Sequence, residues 1–151
     1  MRFIKNSLSS NLAILGILFN VFYFVSIYQS DVGVYYYNIQ IGASVVYNLI
    51  FMLAVFLASE GVKNYKKNYS YLLFAIGVMQ IVRIFNIPMQ AHTTIMSING
   101  VESPVMGNGQ FSMVVAFLAI SAACLIVSAA VNLIRHRELS EHLKTLGTQN
   151  A

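Results

Sequence analysis

Long apolar runs alternate with short polar stretches along this chain. No charged residue occurs from Ser7 to Ser30, and none from Val32 to Ser59. Two further apolar runs fill the second half. A bilayer core about 30 Å thick needs roughly 20 apolar residues as α-helix. The pattern therefore predicts spans at about 9–29, 36–59, 70–89 and 111–134. Helices are required because lipid satisfies no backbone hydrogen bond. A closed barrel would show alternation, and these runs are continuous. The expected fold is an all-α integral membrane protein, a four-transmembrane-helix bundle forming one membrane domain over residues 1–151. Arg2 and Lys5 before the run Leu8–Tyr28 resemble a signal peptide. That run is too long for a signal core and no small-x-small cleavage site follows it, so we read it as a retained first span.

The connections differ in kind. The loop 30–35 is short, so spans one and two form a tight hairpin. The loop 60–69 is basic and suits lipid headgroups. Between about 90 and 110, Thr94–Ile98 and Val101–Pro104 flank Asn99-Gly100. Asn-Gly favours a type I′ turn because both central positions need positive φ, which predicts a small β-hairpin. A two-stranded hairpin alone is marginal, so it should rest on helix ends or a partner. Beyond Ile134 the helical pattern continues as a tail over 135–147, ending before Gly147, with Leu139, Leu143 and Leu146 on one face. That stripe suits either a stub lying on the membrane or a docking stripe for a soluble partner. Glu138–His142 and Glu141–Lys144 are expected to pair on the opposite face. No internal repeat is visible.

Composition agrees with the pattern. Hydrophobic residues make up 58% and charged residues 9%, against roughly 25% charged in soluble domains. The formal net charge is +4, but its distribution excludes nucleic acid as the partner. Eight of the nine Lys and Arg residues form three clusters: Arg2 and Lys5; Lys63, Lys66 and Lys67; Arg135, Arg137 and Lys144. With four spans all three clusters share one side, and the other side holds only Asp31 and Glu102. Cytoplasmic borders carry Lys and Arg, so the expected orientation is N-in and C-in, in the plasma membrane. Tyr35, Tyr36 and Tyr37 fit an aromatic belt at the outer end of span two. Tyr65, Tyr69 and Tyr71 fit one at the inner end of span three. The single cysteine, Cys124, allows no disulfide within the chain and excludes a CxxC thiol oxidoreductase.

Arg83 is the only charge inside a span. Such residues face a bundle interior or polar cavity more often than lipid. Gln80, Arg83, Asn86 and Gln90 recur at three- and four-residue spacing, a polar stripe that could contact an anion or substrate near the outer mouth. Asn38, Gln40, Asp31 and Glu102 are candidate partners. The plainer alternative is that Arg83 snorkels to headgroups or ties helices through a carboxylate. Asn20 and Asn48 lie near mid-membrane and suit interhelical hydrogen bonds. Glu60 reads as a solvated helix-end residue. Span four carries Ser112, Ala116, Ala119 and Ala123 on one face and Ser121, Cys124 and Ser128 on another. Small-xxx-small spacing lets helices approach closely, so two such faces suggest two neighbours, one of them a subunit contact. Gly16, Gly42 with Ala43 and Ser44, and Gly77 could serve likewise.

No catalytic grouping, cofactor motif or metal-ligand set appears. His92, His136 and His142 fall on different sides or faces. The glycosylation-like sequons at Asn6 and Asn68 lie on the expected inner side. The expected function is therefore non-catalytic: a small integral subunit or assembly factor of a larger membrane complex, such as a transport system. Its partners would be the lipid bilayer and other membrane chains. The alternatives are a homo-oligomeric channel or carrier using the stripe around Arg83, and an enzyme acting on a lipid or quinone headgroup.

Overall fold

A computed structural model describes residues 5–30, 32 and 39–149. Expectations placed on Arg2, Asp31, Tyr35, Tyr36, Tyr37, Asn38 and most of the 30–35 loop lie outside the described residues. Helix α1 spans Ser7–Tyr28, α2 Ile39–Lys63 and α3 Lys67–Ile84. A short α4, Ile87–Thr93, leads into strands β1, Ile95–Ile98, and β2, Val101–Pro104. Helix α5, Asn108–Gln149, closes the chain. Four segments are long and apolar enough to cross a membrane: α1, α2, α3 with α4, and α5.

Local chemistry explains the ends. Asn6 caps α1, its side-chain oxygen accepting from the Ser9 N–H. Between α2 and α3 the chain reverses through Tyr65, whose φ is 58°. The third span is not the continuous helix over 70–89 that the apolar run suggested. It breaks at Phe85 and Asn86, and α4 restarts with Pro88 as its second residue. Proline has no N–H to give and its ring clashes with the carbonyl four residues back. For Pro88 that carbonyl belongs to Ile84, where α3 ends. The hairpin forms as its turn residues require: Asn99 and Gly100 have φ 55° and 81°, and Ile95 pairs with Pro104 through Ile98 with Val101. Gly147 does not stop α5, which continues to Gln149. On its exposed tail Glu141 pairs with Arg137 at 3.1 Å.

Helix α5 packs against α1 and α3; α2 packs on α1 and, across a thinner seam, on α3. Two apolar clusters fill the bundle. The one nearer the basic end includes Ala13, Phe51, Val55, Leu73 and Leu125. The other includes Tyr23, Ile41, Val114 and Leu118, and is capped by Ile87 and Ala91 of α4 with Val105 and Met106. Close approach depends on missing side chains. A Cβ on Gly16 would lie 2.9 Å from Leu125 Cδ2, and one on Gly77 2.8 Å from Ile126 Cγ1. Around Gly42 nothing lies within 4 Å.

Candidate functional site

Arg83 lies near the far end of α3, about 24 Å along the axis from Lys67. Its guanidinium is directed into the bundle. Nη1 donates to Asn20 Oδ1 at 2.8 Å and to Gln80 Oε1 at 2.9 Å, and Nη2 donates to Asn48 Oδ1 at 3.2 Å. These acceptors are themselves held in place. Asn20 Nδ2 donates to Asn48 Oδ1 at 2.9 Å, and Asn48 Nδ2 donates to the Ser44 carbonyl at 2.7 Å. Gln80 Nε2 donates to Asn20 Oδ1 at 3.0 Å and to Ser121 Oγ at 3.1 Å. The Ser121 hydroxyl donates to the Gly16 carbonyl at 2.7 Å. One network thus joins α1, α2, α3 and α5. The Tyr23 and Tyr47 rings flank the cation, 4.7 and 4.5 Å from its central carbon.

Magnitudes explain why a charge can sit there. Insertion scales put an arginine at mid-membrane at about 2.5–3.5 kcal/mol. Each hydrogen bond to a charged group returns about 1.5–3 kcal/mol, and each ring contact about 0.5–2 kcal/mol. Three such bonds and two rings therefore offset the cost. None of these partners carries a negative charge. The ion pairs Lys63–Glu60 and Arg137–Glu141 lie elsewhere.

Beside the guanidinium is a cavity of about 350 Å³ between α2 and α3. Arg83, Tyr23, Tyr47, Gln40, Ser44 and Asn86 line its polar part; Ala43, Met79, Val82 and Ile87 complete the wall. The four-residue stripe does not stay together. Gln80 is buried beside Arg83, Asn86 sits in the α3–α4 break at the cavity wall, and Gln90 is exposed on α4. There the Gln90 carbonyl accepts from the Thr94 hydroxyl at 2.7 Å. The helix break rotates Gln90 away from the axis its spacing assumed.

Comparison with protein-family models, curated proteins and solved structures finds no match. Function must be read from the geometry alone.

A second polar layer at the basic end escaped the sequence reading. Asn6 Nδ2 donates to Asn132 Oδ1 at 2.9 Å, and Asn132 Nδ2 donates to Ser70 Oγ at 2.7 Å. Arg135 Nη1 donates to Asn6 Oδ1 at 3.0 Å. The Ser9 and Ser128 hydroxyls each donate to the other's carbonyl at 2.6 Å. The available signal was that Asn132 is the only amide side chain in the run 111–134. The apolar cluster of Ala13, Phe51, Val55 and Leu73 separates this layer from the Arg83 network.

The two small faces of α5 have different fates. Ser121 and Ser128 are buried against α1, and Cys124 is half-buried. Ser112, Ala116, Ala119 and Ala123 are exposed. On the tail, Leu139 is half-buried, while Leu143 and Leu146 are exposed. His92 stacks on Phe111 at 4.4 Å, and His136 Nδ1 donates to the Tyr65 carbonyl at 2.7 Å. No metal-binding group of His, Cys, Asp or Glu occurs among the described residues.

Proposed function

We propose that this protein is a non-catalytic integral subunit or assembly factor of a larger membrane complex, with both termini on the cytoplasmic side of the plasma membrane. The observation that carries the reading is the uncovered small-residue face of α5, Ser112, Ala116, Ala119 and Ala123. Between lipid-embedded helices there is no hydrophobic drive, so association rests on close packing, which small residues permit. The same helix continues past the basic end. At 42 residues it is about 63 Å long, roughly twice the hydrocarbon thickness. Leu143 and Leu146 lie exposed on that extension, where a soluble part of the complex could dock. The orientation follows from the clustered Lys and Arg residues.

The channel reading has less support. A conduit needs polar groups at successive depths, and an apolar cluster lies between the two polar layers.

Extraction in a mild detergent should recover the protein with unrelated chains in fixed stoichiometry. Ala119→Leu, which raises a branched side chain on the exposed face, should release those chains while the protein itself stays folded. Recovery as a pure homo-oligomer, or retention of every partner by the variant, would overturn the reading.

A further inference from the structure

We propose that the cavity beside Arg83 binds an amphipathic anion, one carboxylate or phosphate head on an apolar chain, entering from the membrane between α2 and α3. Four observations lead there. The first is charge. Arg83 is neutralised by no described residue, since its partners are the amide oxygens of Asn20, Asn48 and Gln80 and two tyrosine rings. An anion in the cavity would supply a full counter-charge at a site where the low dielectric strengthens the attraction.

The second is donor count. A guanidinium has five N–H donors in a fixed fork suited to carboxylate and phosphate oxygens. Three are spent on the amides. With a further one shared with the Tyr23 side chain, one N–H remains for a guest, and Arg83 lines the cavity.

The third is shape. At about 350 Å³ the cavity falls within the usual range of small-molecule sites, roughly 300–1,000 Å³. Polar Gln40, Ser44, Arg83 and Asn86 share its wall with apolar Ala43, Met79, Val82 and Ile87, and Met79 and Val82 are 48% and 54% exposed. On a transmembrane helix that exposure is exposure to lipid. The wall therefore opens laterally along the thinnest seam of the bundle, which suits a guest whose body is apolar.

The fourth is depth. Arg83 stands ten residues before the end of the Lys67–Thr93 span, in its half nearer the hairpin, and its guanidinium reaches Asn20 and Asn48 inside the bundle. A lipid-like anion can keep its head there while its chain stays in the hydrocarbon.

The test is thermal unfolding of the purified protein in neutral detergent with oleate, with phosphatidylglycerol, or with sodium phosphate alone. Either amphiphile at saturation should raise the midpoint by about 5 °C or more, and sodium phosphate should not. Arg83→Gln should weaken binding about tenfold or more, the loss of one charged hydrogen bond. Ala43→Phe keeps the Arg83 network and fills the cavity from its lipid side. It should fold normally and show no shift. A full shift in Ala43→Phe, no shift with either amphiphile in the wild type, or an equal shift with sodium phosphate would each overturn the proposal. The outcome does not depend on whether partner chains are present.

Discussion

Gly61 and Gly77 show how single residues decide the helix spacing. A Cβ on Gly61 would fall within the Tyr69 ring, and one on Gly77 would meet Ile126 Cγ1 and, at 3.3 Å, the Ala122 carbonyl oxygen. Backbone cannot yield as a side-chain tip can. Gly61→Ala and Gly77→Val are therefore expected to cost about 1–3 kcal/mol each, the usual range for overpacking. Gly42→Ala, with open space around it, should be neutral in the same unfolding measurement. Equal losses in all three would show that the close contacts of Gly61 and Gly77 do not set these costs, since helix propensity itself favours alanine over glycine. Asn6 and Asn132 illustrate what residue-level reading missed. Each lies at the edge or end of an apolar run, where an amide looks like an ordinary border residue. Only folding brings residues 126 positions apart within 2.9 Å.

Among the elements, the break between α3 and α4 has a local cause that the apolar run concealed. Hydropathy is blind to hydrogen bonding, so Pro88 looked like one more residue of a long span. Its consequence reaches the cavity, because the break places Asn86 at the cavity wall and turns Gln90 outward. The β-hairpin was legible because its determinant, Asn99-Gly100, is equally local. Gly100 has φ 81°, a region that a β-branched residue enters at a cost of about 1–3 kcal/mol. Gly100→Val is expected to abolish amide protection in β1 and β2, read by hydrogen exchange. Ile95 and Val101 of the hairpin are exposed, so protection in α1 and α5 should be unchanged. A loss of helix protection would show the hairpin to be part of the bundle's core.

At the scale of the whole molecule, direction along the chain sets the ends. Lys5, the 64–66 turn and Arg135 meet at one end, and the hairpin lies at the other. In a Cys124→Ala background, Asn68→Cys should be labelled by a membrane-impermeant thiol reagent only from the cytoplasmic side. Ser97→Cys should be labelled only from the opposite side. Both positions are exposed, so labelling of the two from one side would overturn the four-span topology.

The four apolar segments and their polar borders were determined by the sequence alone. An apolar run of some 20 residues must satisfy its backbone internally whatever its neighbours are. The hairpin turn was determined in the same way, by residues within it. The rotation of each helix about its axis was decided only in the tertiary structure. Lipid is as apolar as the bundle interior, so an inward face and an outward face carry little contrast in hydropathy. That is why spacing alone could not tell which small face of α5 meets α1 and which stays uncovered. It is also why Arg83 could be singled out from the sequence, while its holders, Asn20, Asn48 and Gln80 from three helices, came together only in the folded bundle.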